Sequence, residues 1–157
     1  MKLKLLYTFA LLFAINIISV SAQSSKKQQP LKIVNYGENI NNPLTAKELS
    51  FINEVYLDKA QTLVLSKPQR VKDIKHILRN RVYIQEHVGK DLSPYKLLST
   101  VPLFNNYNKE LRRDTFFDSN KFNVLKYSFD FYSRNKKVMT YRIDNTNYLI
   151  NIKPQHN

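Results

Sequence analysis

The sequence contains no cysteine, no tryptophan and only two glycines among its 157 residues. Without cysteine the chain has no thiol nucleophile, no Cys-ligated zinc, no iron–sulfur cluster and no disulfide bond. Because Gly37 and Gly89 lie far apart, no glycine-rich loop is present to hold a phosphate or a dinucleotide. These absences exclude P-loop nucleotide hydrolases and dinucleotide-binding folds, and we expect no cofactor.

Basic residues are in large excess, with 25 Lys and Arg against 12 Asp and Glu, which gives a formal net charge of +13. Hydrophobic residues make up 43% of the chain and aromatic residues 12%. This apolar content is too high for an intrinsically disordered protein, and the length suits a single domain. A strongly basic domain favours partners that carry negative charge.

The first 22 residues have the pattern of a secretory signal peptide. Lys2 and Lys4 precede an almost wholly apolar run over residues 5–20, and small residues up to Ala22 form a cleavage site. The alternative is an uncleaved membrane anchor, but the run is shorter than the roughly 20 residues that a spanning helix needs, and Asn16 interrupts it. The sequence therefore predicts an exported protein, located in the periplasm or outside the cell.

Cleavage after Ala22 would remove two lysines and leave a charge of about +11. We expect residues 23–30 to form a flexible polar leader, and residues 31–157 to form one α+β domain. A short edge strand is predicted over Leu31–Tyr36, followed by an Asn-rich loop.

The first helix is predicted to begin at Thr45. Thr45 and Glu48 have the spacing of a capping box, and Leu44 and Leu49 flank it where a hydrophobic staple lies. Apolar residues then recur at helical spacing, which indicates one buried face.

A second helix is predicted from Pro68, a residue that is favoured in the first turn. Its apolar stripe consists of Val71, Ile74, Ile77 and Leu78. The segment from Arg81 to His87 fits a helix extension or a following strand equally well. Basic residues flank the stripe, and we interpret four of them as an anion-binding set: Arg70, Lys72, Lys75 and Arg79.

Alternating apolar residues predict three strands in the last third of the chain. They cover Leu125–Phe131, Met139–Ile143 and Tyr148–Ile152, and short polar turns separate them. Consecutive strands with short turns form an antiparallel meander, whose apolar face needs a cover of helices. The predicted fold is therefore α+β, with two or three helices packed on one face of a small antiparallel sheet that ends in this three-stranded meander.

Catalytic signatures are weak. The histidines His76, His87 and His156 have no metal-ligand spacing, and no serine lies in a Gly-x-Ser-x-Gly elbow. His87 lies near Asp91 in a loop-like stretch, and this pair is the one catalytic candidate that we retain. The sequence favours a protein that is not an enzyme, and it predicts no metal site.

A second basic cluster lies in the predicted surface loop from Asn105 to Asn120. Where basic side chains lie beside aromatic ones, the basic groups can neutralise an anion and the aromatic rings can stack on a ring of the ligand. The cluster consists of Lys109, Arg112 and Arg113, with Phe104, Tyr107, Phe116 and Phe117 nearby.

Two functions of different classes follow from these patterns. The first is a small exported interaction protein whose basic residues contact an anionic glycan, an anionic envelope component or an acidic protein; nucleic acid is the less favoured partner because of the predicted export. The second is a ligand carrier or hydrolase with a pocket between the helices and the sheet, which would use His87 and Asp91. The aromatic sheet face either forms the core or lines that pocket.

Overall fold

The computed structural model describes residues 34, 36–133 and 136–155, which belong to one compact unit, Ile33–Asn157. The predicted signal peptide, the predicted leader and His156 lie outside these residues. Of the edge strand predicted over Leu31–Tyr36, the structure describes Val34 and Tyr36, and neither of them lies in a strand.

Helix α1 covers Ala46–Tyr56 and begins with the predicted capping box. The hydroxyl of Thr45 accepts a hydrogen bond from the Glu48 backbone N–H at 3.1 Å, and the Glu48 carboxylate accepts one from the Thr45 N–H at 2.8 Å. These two bonds satisfy N–H groups that a helix start otherwise leaves unpaired. The helix ends at Tyr56, because the φ of 48° at the following residue, Leu57, breaks the helical path.

Helix α2 covers Pro68–His76 and begins at the predicted proline. A π-helical turn over Ile77–Arg81 continues it, and strand β1 follows directly over Val82–Glu86. The segment from Arg81 to His87, for which the sequence allowed a helix extension or a strand, therefore contains the last residue of the helical turn followed by strand β1. Short helical turns also occur elsewhere in the described residues, at Glu38–Asn41, Leu57–Lys59, Gln61–Leu65, Leu98–Thr100 and Val124–Lys126.

The sheet has four strands in the order β1-β4-β3-β2, where β2 is Lys96–Leu97, β3 is Met139–Arg142 and β4 is Tyr148–Ile152. Strand β4 pairs antiparallel with both β1 and β3, whereas β2 pairs parallel with β3. The prediction of a purely antiparallel sheet is therefore wrong, because a two-residue strand joins one edge in parallel.

The predicted strand over Leu125–Phe131 is also wrong, so the C-terminal meander has two strands and not three. The Phe129 N–H donates to the Tyr127 carbonyl and the Phe131 N–H donates to the Phe129 carbonyl, each at 2.8 Å. These bonds close three-residue turns, so few backbone groups of this segment are left to pair with a neighbouring strand. A single isolated β-bridge joins Leu103 to Tyr127. The alternation describes burial only in part: Tyr127, Phe129 and Phe131 are buried and Asp130 is exposed, but Lys126 is also buried and pairs with Glu54 and Asp114.

The core joins both helices to one face of the sheet, which confirms the α+β class. Ile52 and Val55 of α1, Ile74 of α2, and Ile150 and Ile152 of β4 are almost completely buried in one cluster. Among the residues that the structure describes, none of the helices has both the length and the apolar character that crossing a membrane requires.

Candidate functional site

Arg79, one of the four predicted anion-binding residues of α2, is engaged inside the fold. Its guanidinium pairs with both carboxylate oxygens of Glu48, Nε to Oε1 and Nη2 to Oε2, each at 2.6 Å. It also donates to the backbone carbonyls of Asn39, Asn42 and Pro43. Arg79 thus joins α2 to the start of α1, and its positive charge is balanced by Glu48.

Lys75 and Lys72 have opposite environments. Lys75 is buried and its ammonium donates to the Asn42 carbonyl at 2.9 Å. Burial, together with the positive charges of Arg79 and Lys72, lowers the pKa of Lys75. Lys72 is exposed. Of this predicted set, therefore, Lys75 and Arg79 stabilise local structure, and they do not form a free basic surface with Lys72.

Arg70 differs from the other three because it lies half-buried in the wall of a groove. It donates from Nη1 to the Tyr132 hydroxyl at 2.9 Å and from Nη2 to the Tyr56 hydroxyl at 3.1 Å. Its guanidinium carbon lies 5.6 Å from the centroid of the Tyr132 ring, within the range of a cation–π contact. Two tyrosines that are remote in sequence therefore hold one arginine in place.

No carboxylate pairs with Arg70 among the described residues. The acidic residue three positions later on α2, Asp73, accepts hydrogen bonds from Tyr36 and Gln69 instead. Burial acts to lower the pKa of Arg70, but the hydrogen bond to Tyr56 and the neighbouring phenols and Asp73 raise it overall. Arg70 is therefore a permanent positive charge with no acidic partner in contact.

The groove has a volume of about 390 Å³ and is partly open to solvent. Its walls are formed by α2, by the loop at Phe104 and by the segment that was predicted as the first meander strand. Most of these side chains are aromatic or aliphatic, and Arg70 carries the one formal charge among the described lining residues. The lining consists of Tyr56, Arg70, Ile74, Ile77, Phe104, Asn106, Leu125, Tyr127, Ser128, Phe129, Phe131 and Tyr132.

The loop cluster of predicted anion-binding residues is divided in the same way. Arg113 donates to the carbonyls of Leu98, Ser99 and Val101 and lies 5.4 Å from the ring centroid of Tyr127. This arginine supports the turn at Leu98–Thr100.

Arg112 and Lys109 of the same cluster lie at the surface, where Arg112 pairs with the exposed Glu110 at 3.2 Å. The neighbouring aromatic residues also separate. Phe116 is 87% exposed, whereas Phe117 packs against Phe122 and Tyr148.

The catalytic candidate pair is not joined by a hydrogen bond. Both oxygens of Asp91 accept from Ser93, one from its N–H and one from its hydroxyl, each at 2.9 Å. These bonds lower the pKa of Asp91. Nε2 of His87 is buried and has no hydrogen-bond partner among the described residues. The arrangement that a His–carboxylate pair needs for proton transfer is therefore not formed.

His76 has a packing environment. It is buried, its ring meets the edge of Tyr36 at a centroid distance of 5.1 Å, and Nδ1 lies 3.3 Å from the Asn80 amide nitrogen. In the described part of the chain, no group of three or more His, Asp or Glu side chains is arranged to hold a metal ion.

Sequence reasoning did not identify the two tyrosines that hold Arg70. The helical spacing of apolar residues after Thr45 indicates only that Tyr56 is buried, and Tyr132 lies outside the predicted strands. The three residues are brought together by contacts across 14 and 62 positions of the chain. No spacing pattern signals such a contact, since it depends on how distant elements pack.

Comparison with known proteins adds no further assignment: no family model, no curated protein and no solved structure matches the chain.

Proposed function

We propose that this chain is a binding protein for a small anionic molecule, which it holds in the aromatic groove beside Arg70. The observation that carries the proposal is the half-buried guanidinium of Arg70, which has no carboxylate partner among the described residues and lies in the wall of a mostly apolar groove. Small-molecule sites are concave, mostly apolar and provided with a few fixed polar groups, and the volume of about 390 Å³ lies in the range of such sites. Together with the predicted signal peptide, the proposed role is that of an exported ligand carrier.

Binding without catalysis is the version of this role that the groove supports. A hydrolase needs a base or nucleophile within reach of the bound molecule. Among the described residues that line the groove, none carries a carboxylate or an imidazole, and His87 and Asp91 are not part of the lining. The groove therefore favours the carrier over the hydrolase.

Nuclear magnetic resonance can test the groove directly. Titration of the isotopically labelled protein with 2-naphthoate should shift the amide signals of groove residues such as Asn106 and Ser128. A Ser128→Tyr variant places a ring in the groove and should abolish the shifts. The matched control is Ser50→Tyr on the exposed side of α1, which should leave them unchanged. Shifts that map outside the groove, or that persist in Ser128→Tyr, would contradict the proposal.

A second candidate is contact between surface bases and an anionic glycan, an envelope component or an acidic protein. Lys72, Lys109 and Arg112 favour it because these predicted binding residues lie at the surface. Their attraction to a polymer would weaken steeply with salt.

A further inference from the structure

The tyrosines beside Arg70 present their hydroxyl hydrogens to a third group. A tyrosine hydroxyl can accept a hydrogen bond and also donate one. Arg70 donates to the oxygens of Tyr56 and Tyr132, so each hydroxyl still has its own hydrogen to give. Within the described residues neither hydroxyl donates to another group. Burial raises the pKa of Tyr132 despite the opposing effect of Arg70, so its hydroxyl keeps this hydrogen at neutral pH.

The three side chains together form a set of donors with one positive charge. An arginine side chain has no hydrogen-bond acceptor, and the hydroxyl oxygens of both tyrosines already accept a hydrogen bond from Arg70. The group that completes this set must therefore accept hydrogen bonds. A carboxylate fits best, because it accepts several bonds and its single negative charge equals the one charge of the described lining. A phosphate monoester carries close to two negative charges at neutral pH and would leave one of them unbalanced.

The walls beside this donor set are flat and apolar. The ring of Phe104 lies 6.0 Å from that of Tyr56, measured between centroids, and the Phe129 ring lies along the same groove. Tyr132 is 46% exposed, so its ring is accessible from solvent. Aromatic walls favour offset or edge contacts with a planar ring. An aliphatic chain would bury area there without these contacts.

We infer that the groove binds a monocarboxylate carried on a planar ring, with the carboxylate at the Tyr56, Arg70 and Tyr132 donors and the ring against the aromatic wall. This inference rests on the proposed function, since it assigns the ligand class of the same groove. Such a site differs from a surface that binds a polyanion, because one carboxylate and one ring are sufficient to fill it. The groove is charged at Arg70 and mostly apolar along the rest, and this asymmetry sets the orientation of the ligand.

Calorimetric titration with four related probes tests the ligand class. The probes are 2-naphthoate, the neutral 2-naphthamide, 2-naphthyl phosphate and the aliphatic octanoate. We expect 2-naphthoate to bind about tenfold more tightly than each of the other three, because a charged hydrogen bond to Arg70 and ring contacts both require its structure. Equal affinity for 2-naphthamide, or tighter binding of 2-naphthyl phosphate or octanoate, would overturn the assignment.

Variants at the donor set separate this inference from the proposed function. Arg70→Gln should weaken 2-naphthoate about tenfold and leave 2-naphthamide nearly unchanged. Tyr132→Phe should cause a smaller loss, of about threefold, because it removes one neutral donor. The control is Lys72→Gln, an exposed base on the same helix, which should change nothing. If all four probes fail to shift the groove amides, the proposed function itself is wrong. If they bind in the groove regardless of charge, only the carboxylate assignment is wrong.

Discussion

At the scale of single residues, the four basic side chains of α2 show how one composition serves different purposes. Arg79 balances Glu48, Lys75 donates to a carbonyl in a buried position, Lys72 is exposed, and Arg70 donates to the hydroxyls of two tyrosines. The difference between these positions is the availability of an acceptor within reach. The sequence shows that the basic residues are present, but it does not show their partners. The partners of Arg79 and Lys75, and the Tyr132 partner of Arg70, lie about 30 or more positions away in the chain.

Replacement of Arg79 should be strongly destabilising. The side chains of Arg79 and Glu48 are only 13% and 11% exposed, so removal of one leaves the other charged and poorly solvated. We expect Arg79→Gln to lower the free energy of unfolding by about 3 kcal/mol. Lys72→Gln, on the exposed side of the same helix, should change it by less than about 0.5 kcal/mol. Urea unfolding followed by circular dichroism measures both, and similar values for the two variants would contradict this assignment.

The scale of elements shows which signals in the sequence are sufficient. The capping box at Thr45 and the start of α2 at Pro68 were predicted correctly, because each depends on residues within one turn. Strands β3 and β4 were also predicted, since an alternating pattern on both sides of a short turn specifies a hairpin. Strand β2 was missed, because two residues have no period and their partner strand lies more than 40 positions later.

The predicted strand over Leu125–Phe131 shows the limit of the alternating pattern. Alternation indicates which side chains are buried, and the apolar residues of this segment are buried as predicted, although the intervening Lys126 is buried too. It does not report whether the backbone groups bond to a neighbouring strand or to each other. Here the bonds are local, and the aromatic residues that would have formed a sheet face serve both as core and as groove wall. These residues therefore belong both to the core and to the wall of the pocket, which the sequence had offered as alternatives.

The end of α1 offers a test of backbone strain. Leu57 has φ 48° and ψ −129°, a region that favours glycine, and its side chain is 49% exposed. We expect Leu57→Gly to raise the free energy of unfolding by about 1 kcal/mol, because relief of strain of about 2 kcal/mol exceeds the entropic cost of glycine. Leu57→Ala, which removes the same side chain but keeps Cβ, should not stabilise the protein. Thermal unfolding of the pair would measure the effect, and a loss of stability in Leu57→Gly would show that no strain is stored there.

At the scale of the whole molecule, the excess of positive charge must be considered apart from any site. We expect a net charge of +13, or of about +11 after the predicted cleavage, to retain the protein on an acidic polymer whatever its specific function. Charge reversal at Arg70, Lys75 and Arg79 would be a poor test, since two of these residues stabilise the fold. The exposed residues Lys72, Lys109 and Arg112 are the suitable set.

Heparin chromatography can separate a specific basic surface from general charge. We expect Lys72→Glu/Lys109→Glu/Arg112→Glu to elute at lower salt than the unmodified protein, because its net charge is smaller by six. A second triple variant, Lys47→Glu/Lys90→Glu/Lys96→Glu, has the same charge change at other exposed positions and should elute with it. A much larger shift for the first set would favour the surface candidate over the groove.

The stability of the whole domain should fall in two stages as the pH decreases. Burial and the charge of Arg81 lower the pKa of His76 below 6.5, although Asp73 acts in the opposite direction. Burial raises the pKa of Glu48, but Arg79 and Thr45 lower it more, so it lies below 4.5. In both cases the unfolded chain takes up the proton first as the pH falls. Each contribution is therefore complete above the unfolded pKa and is lost as the pH falls toward the folded one.

Urea unfolding between pH 8 and pH 3 should show the first loss below about pH 6.5 and a second below about pH 4.5. His76→Gln should remove the first stage and keep the second, because glutamine does not titrate and the Glu48 pair is untouched. The first stage arises where the ring of His76 lies between Tyr36 and Asn80, with the charges of Arg81 and Asp73 nearby. Persistence of the first stage in His76→Gln would place this acid sensitivity outside the packing of α2.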